Sequence, residues 1–249
     1  MKILLVNVDS RWNMAIRKMY NHYKQNHEVE MIDLGFSGYP HKRTKVIDGS
    51  VYDKVFVSNI FDINRDRVLV ENCSAVTYGG IGSKNPHLQL PEEIEVTEPF
   101  YFPDEDTSYG FITRGCIRNC WFCKVPKYEG KLKEYNNIES IVKHKKVKFL
   151  DNNILAYSEH MKVFQWCLEH PDIKVEFNQG LDFRLVNDEN LEALSKLVNH
   201  LQVTMHFAGL LSKMVKENVL KRILKLPTLW KICCSTYGHT SQNVLLLNT

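Results

Sequence analysis

Apolar residues in this chain come in short runs, each stopped by a polar or glycine-containing break. The first run, "KILLVNV", predicts a strand. After the loop "DSRWN", the spacing of Ile16, Met19, Tyr20 and Tyr23 predicts an amphipathic helix over residues 14–24. Three further runs, "EVEMIDL", "DKVFVSNI" and "SAVTYGGIG", read as strands, and strands alternating with helical connectors predict an open, mostly parallel α/β unit over residues 1–85. Pro86, Pro91, Pro99 and Pro103, set among acids, mark residues 86–108 as a linker.

Beyond the linker the pattern repeats. "KVKFL" ends before Asp151, "KVEF" before Asn178, "LQVTM" before His206 and "WKICC" before Ser235, so the four polar positions lie 27, 28 and 29 residues apart. A βα unit occupies roughly 30 residues, and amphipathic stretches over 158–167, 188–198 and 212–226 fill the gaps. With a strand over 109–113, residues 109–249 read as serial βα units that close, or partly close, into a β/α barrel. The active site of such a barrel lies at the C-terminal ends of its strands. That face would gather Asp151, Asn152, Asn153, Asn178 and Gln179. Asp182, Arg184, His206, Ser235 and Thr236 would join them there.

Composition is that of an ordinary globular protein, with 44% hydrophobic and 24% charged residues among 249. The early apolar run Ile3–Val6 is too short for a signal peptide, and nothing approaches the ~20 apolar residues of a membrane helix. A cytoplasmic location is expected. The net charge of +3 is unevenly spread: between Arg114 and Lys148 ten Lys or Arg face three Glu. Such an excess attracts nucleic acid or another anionic substrate, or else "KHKKVK" is a solvated helix face.

Seven cysteines, an odd number, argue for reduced thiols in metal or redox chemistry and against a disulfide framework. Cys116, Cys120 and Cys123 form C-x-x-x-C-x-x-C directly after the predicted strand 109–113, whereas Cys73, Cys167, Cys233 and Cys234 read as small apolar residues. A helical stripe of three buried cysteines is disfavoured by Gly115 before the motif and Pro126 after it. Structural zinc needs a fourth ligand, for which His144, Cys233 and Cys234 are the candidates. A [4Fe–4S] cluster with three protein thiolates keeps one iron open, which suits catalysis.

Cys116-x-x-x-Cys120-x-Phe122-Cys123, in the loop after the first strand of a β/α barrel, resembles the signature of the radical S-adenosylmethionine (radical SAM) enzymes. The resemblance covers roughly residues 109–249. It implies a [4Fe–4S] cluster held by the three cysteines and S-adenosylmethionine chelated at the open iron. Reductive cleavage would then give a 5′-deoxyadenosyl radical that acts on an unknown substrate. It further implies that Phe122 packs near the adenine and that Asp151, Asn152 and Asn153 stand where the family contacts the methionine amino group, "DNN" replacing the commoner Gly-Gly-Glu. Gln179, Arg184 and His206, at later strand ends, are further cofactor-binding candidates; Arg184 either grips a carboxylate or pairs with Asp182. The implied partner is an electron donor such as flavodoxin or ferredoxin; the substrate is unknown, and the basic stretch over 114–148 points to an anionic molecule or RNA.

The larger resemblance is to radical SAM proteins with an N-terminal Rossmann-like, cobalamin-binding-like domain. "VDSRWNM" lacks the His and Gly of an Asp-x-His-x-x-Gly loop, so cobalamin held by a histidine is disfavoured. "YGGIGS" is either a ligand-binding glycine loop or a plain turn. Methylthiotransferases would need three cysteines in this half, which has only Cys73. An auxiliary cluster on Cys233 and Cys234 is disfavoured because adjacent strand residues point to opposite faces. The short stretch after Ser235 implies a minimal or C-terminally shortened barrel. The alternatives are a metal-stapled nucleic-acid-binding module, which would bind RNA or DNA salt-dependently, and a non-catalytic iron–sulfur protein.

Overall fold

The first apolar run forms β1 (Lys2–Asn7), and its continuous hydrophobicity reflects burial on both faces. Ile3 and Leu5 face α1 (Met14–Tyr23), whereas Leu4 and Val6 face the opposite layer. The computed structural model describes residues 1–9, 12–36, 44–121, 123–200, 204–208, 232–233 and 244–245, with backbone alone beyond residue 197. The chain divides into two compact units, Met1–Glu105 and Asp106–Thr249.

In the first unit β1 pairs in parallel with β2 (Glu28–Asp33) and β4 (Lys54–Ser58), and β4 with β6 (Val76–Gly79), in the order β2-β1-β4-β6. These are the strands expected. The second layer is not helical: β3 (Lys45–Asp48) and β5 (Val68–Glu71) form a separate parallel pair, and their Ile47 and Val68 pack on Leu4, Val6, Val55 and Val57. Each is a four-residue strand burying one side chain below a tenth exposure, too little alternation to register as a sequence pattern.

Asn13 caps α1, accepting from the Ile16 amide, and the helix ends within a residue of its expected limit. Its packing differs from expectation. Arg17 and Lys18 are buried beside Ile16 and Met19, and the segment read as a linker exists to neutralise them. Glu105 accepts from both Arg17 guanidinium nitrogens at 2.6 and 2.7 Å, and the Phe100 carbonyl accepts from the same group at 2.9 Å. Lys18 reaches Glu95 at the end of α2 (Glu92–Glu95), while Ile94 joins the α1 core at 2% exposure. Buried cations without partners cost several kcal/mol each, so residues 91–105 are a packed strap.

The second unit centres on a four-stranded parallel sheet in sequential order, β7 (Thr107–Gly110), β10 (Lys146–Phe149), β11 (Lys174–Asp182) and β12 (Thr204–Ala208). The expected strand over 109–113 is divided: β7 stops at Gly110, where a Cβ would lie 2.6 Å from Ile141, and Thr113 belongs to β8 (Thr113–Arg114). β8 pairs antiparallel with β9 (Lys133–Glu134), flanking α3 (Val125–Tyr128). Helices α4 (Ile138–Ile141), α5 (His160–Glu169) and α6 (Asp188–His200) supply apolar residues to a core with Val147, Phe149, Val175 and Phe177. The alternate positions carry the Lys148–Glu176 ion pair at 2.8 Å on the other sheet face.

Three expectations change here. "KHKKVK" is not a helix face but a loop leading into β10. β11 does not stop before Asn178: a register shift against β12 between Phe177 and Leu181 carries the polar residues along the strand and returns Leu181 to the core. "WKICC" supplies β13 (Ile232–Cys233), paired antiparallel with β14 (Val244–Leu245). The helix expected over 212–226 lies outside the described residues. Among the described residues no helix is long and apolar enough to cross a membrane.

Candidate functional site

The cysteine loop leaves the β7 end of the sheet and returns through β9, so β8 and β9 close it at its base. Gly115 makes that closure possible. It adopts φ +82°, and a Cβ there would stand 2.3 Å from the Lys131 carbonyl oxygen, while the Cys116 amide donates to the Gly130 carbonyl at 3.2 Å. Inside the loop the Arg118 amide donates to Cys116 Sγ at 3.4 Å and the Cys123 amide to the Cys120 carbonyl at 2.9 Å.

All three thiols are free and partly buried. Burial pushes the Cys123 thiol up, and Cys120, Cys116 and Glu129 add to this as like charges, against a backbone hydrogen bond from Val125. Cys167 contrasts with them: 0% exposed, its thiol is pushed up to about 12 by burial, and it is an inert core residue, as expected. Cys73 is half-buried, with carbonyls of Tyr52 and Ala75 near its sulfur.

Facing the loop from the end of β10 are Asp151, Asn152 and Asn153. Asp151, 4% exposed, accepts from the amides of Ile112 and Thr113 and from the Thr113 hydroxyl, so its carboxylate anchors the chain between β7 and β8. Burial pushes its pKa up to about 6 despite those hydrogen bonds. Asn152 donates to Glu129 at 2.9 Å. Asn153, 2% exposed, directs its amide nitrogen to Cys116 Sγ at 3.7 Å and Asp182 Oδ2 at 3.5 Å, while its Oδ1 has no partner.

Arg184 pairs with Asp182 through two side-chain bonds of 2.6 and 2.8 Å, one of its two expected roles. Arg118 reaches the same carboxylate at 3.1 Å. Burial works to raise the Asp182 pKa, but hydrogen bonds from Arg184 and Arg118 outweigh it and hold the carboxyl below its usual value. Arg184 in turn is raised, chiefly by Asp182, with Cys120 contributing. Gln179 is exposed on β11. His206 lies in β12, where only the backbone is described, and Phe122, Ser235 and Thr236 lie outside the described residues.

Two positions that organise the loop escaped sequence reasoning. Glu129 Oε2 accepts from Arg114 Nε at 2.8 Å, the Gly115 amide at 3.2 Å and Asn152, fastening both roots of the loop. Arg118 joins the loop to β11. The signal for Glu129 was present: it is the single acid between Gly115 and Lys133. The zinc candidate His144 bonds Ser108 at 3.0 Å, at the end of the sheet opposite the loop. In the first unit, Gly80 and Gly82 of "YGGIGS" allow close packing: a Cβ at Gly80 would lie 2.3 Å from the Asn59 carbonyl oxygen and one at Gly82 2.6 Å from Asn59 Nδ2.

Among the described residues no group of three His, Cys, Asp or Glu already stands in metal-holding geometry. The donor chemistry nonetheless suits a thiophilic metal group: three free thiols on one closed loop, beside a buried acceptor lacking its hydrogen bond. No protein-family model matches this chain, and no curated protein matches it.

Proposed function

We propose that this chain is a radical SAM enzyme that holds a [4Fe–4S] cluster through Cys116, Cys120 and Cys123. The observation that carries the reading is the meeting of these thiols with the unpartnered Asn153 Oδ1 at the end of the neighbouring parallel strand. Bound together, cluster and S-adenosylmethionine supply one-electron cleavage of a sulfonium carbon–sulfur bond.

The remaining work belongs to the chain. Glu129 and Asp151 fix the loop's roots, and Asp182 holds Arg118 and Arg184 beside the cysteines. Asn153 Oδ1 would accept from the methionine ammonium, a donor that would satisfy its missing bond. The sequential parallel order β7-β10-β11-β12 supports a partial β/α barrel of the radical SAM type, and β2-β1-β4-β6 supports a Rossmann-like first unit, a degenerate relative of cobalamin-binding domains. Cobalamin is not part of the proposal. The substrate is unknown, the basic residues near the loop favour an anionic molecule or RNA, and the expected location is the cytoplasm.

The test is electron paramagnetic resonance of the anaerobically reconstituted, reduced protein with and without S-adenosylmethionine, beside Cys120→Ala. A reduced [4Fe–4S] signal that changes on adding S-adenosylmethionine, and is absent in the variant, is expected. A signal indifferent to S-adenosylmethionine, or no cluster, overturns the proposal.

A further inference from the structure

Three stretches of the second unit meet at one carboxylate oxygen. Glu129 Oε2 accepts from Arg114 Nε at 2.8 Å, from the Gly115 amide at 3.2 Å and from Asn152 Nδ2 at 2.9 Å, and the side chain is 10% exposed. Hydrogen bonds to an ionised acceptor are roughly twice as strong as neutral ones, so a single carboxylate can hold donors from separate elements. The position of Glu129 is itself fixed by α3: its amide donates to the Val125 carbonyl at 2.8 Å and closes the turn that begins two residues after Cys123. Arg114 is constrained as well, its guanidinium lying 4.4 Å from the Phe111 ring centre and 5.6 Å from that of Tyr135.

Closing the loop does not require this junction. The β8–β9 pairing and the Cys116 amide on the Gly130 carbonyl close it through backbone alone, and Arg114, 28% exposed, has water at hand. What Glu129 adds is the link to Asn152. Gly115 precedes Cys116 and α3 follows Cys123, so the carboxylate clamps the residue before the first thiol to the turn after the last. Asn152 precedes Asn153, whose amide nitrogen lies 3.7 Å from Cys116 Sγ and whose Oδ1 lacks a donor. Cys123, α3, Glu129, Asn152, Asn153 and Cys116 thus form a closed ring of covalent and hydrogen bonds. Asp151 takes no part in it, because its bonds end on Ile112 and Thr113, on the strand side of Gly115.

We propose that Glu129 is a positioning residue that acts through Asn152 to orient Asn153, so that the order of the three thiols and the binding of S-adenosylmethionine are coupled. The proposal rests on the radical SAM reading above. A displaced Glu129 carboxylate frees the Asn152 amide, and the turn that presents Asn153 Oδ1 loses its register against Cys116. Two sites on separate elements then respond to one side chain.

The test uses the full chain and four variants: Glu129→Gln, Glu129→Ala, Asn152→Ala and the double variant Glu129→Ala with Asn152→Ala. Iron content after anaerobic reconstitution and equilibrium binding of S-adenosylmethionine are measured for each. Co²⁺ is also titrated into the metal-free proteins, where thiolate-to-metal absorption reports the order of the cysteines without S-adenosylmethionine. Asn152→Ala should keep its iron and Co²⁺ affinity and bind S-adenosylmethionine roughly three- to tenfold more weakly. Glu129→Ala should lose at least as much and weaken Co²⁺ binding too, whereas Glu129→Gln, which keeps an acceptor oxygen in place, should recover most of both. The double variant should bind S-adenosylmethionine no more weakly than Glu129→Ala, because both changes cut one path. Unaltered S-adenosylmethionine affinity in Asn152→Ala overturns the proposal. So do losses that multiply in the double variant, or a Gln variant no better than the Ala one. If Glu129→Ala holds no iron, Asn152→Ala alone and combined with Glu129→Gln decide by the same criteria. Absence of a cluster, or of S-adenosylmethionine binding, in the unaltered protein defeats the radical SAM reading instead; Co²⁺ affinity equal in the unaltered protein and Glu129→Ala then also removes Glu129 from the ordering of the thiols.

Discussion

Both units end a parallel sheet in a cluster of buried polar groups, and the two clusters differ in what they leave undone. In the first unit Asp9 accepts from the amides of Ile60 and Phe61 at 3.0 Å and from Asn64, and Asn13 donates to Asn7 and Ser58. The amides at these strand ends are already bonded to the chain's own carboxylate. In the second unit the corresponding ends carry three free thiols and a buried carbonyl oxygen without a donor. A satisfied polar cluster is sufficiently explained by folding, whereas an unsatisfied one asks for something bound.

That contrast is open to breaking. The largest effect is expected where the first unit's polar groups are purely structural. Glu105→Ala removes the carboxylate paired with the charged, 3% exposed Arg17 and should destabilise this unit by about 3–5 kcal/mol in urea unfolding, with no loss of bound iron. Iron loss in parallel with unfolding would show that the two regions do not divide structure from chemistry as described.

Next in size is a pH effect at the base of the site. Asp151 has its pKa raised from 3.8 to about 6 in the folded state, so between those values the folded protein holds the proton more tightly than the unfolded chain. Stability from this group is therefore full below about pH 4 and falls as pH rises to about 6, by about 1.4 kcal/mol for each of roughly two pH units. Asp151→Asn cannot ionise and should lack this part of the slope. Equal slopes for the two proteins, measured by unfolding without metal, would show a carboxylate ionised throughout.

The smallest effect is the most specific. Asn153→Ala should leave iron content intact and weaken S-adenosylmethionine binding about tenfold, the worth of one hydrogen bond to a charged donor. Equilibrium binding to the reconstituted protein reads it directly. Unaltered affinity would return Asn153 to a structural role.

Much of the frame was legible along the chain. β1, β2, β4 and β6, the parallel order of β7, β10, β11 and β12, and helices α1, α5 and α6 follow from apolar periodicity, because each buries a face whose spacing is written locally. β3 and β5 were not legible, being short and mostly exposed on one side. The strap over residues 91–105 looked like a linker because its prolines and acids are turn-forming when read alone. Its purpose appears only with the buried Arg17, 88 residues away.

The sequence by itself determined the donor set, three cysteines at a spacing that reads as a metal loop, and the strand ends to which they belong. Folding decided the rest. It divided the basic run between two ends of a sheet, turned Glu129 inward and the lysines outward, joined Asp151 to Thr113 across 38 residues, and left Asn153 Oδ1 without a partner. Periodicity reports which face of an element is apolar. Pairing between charges and hydrogen-bonding groups depends on distances across the fold, which no local pattern contains.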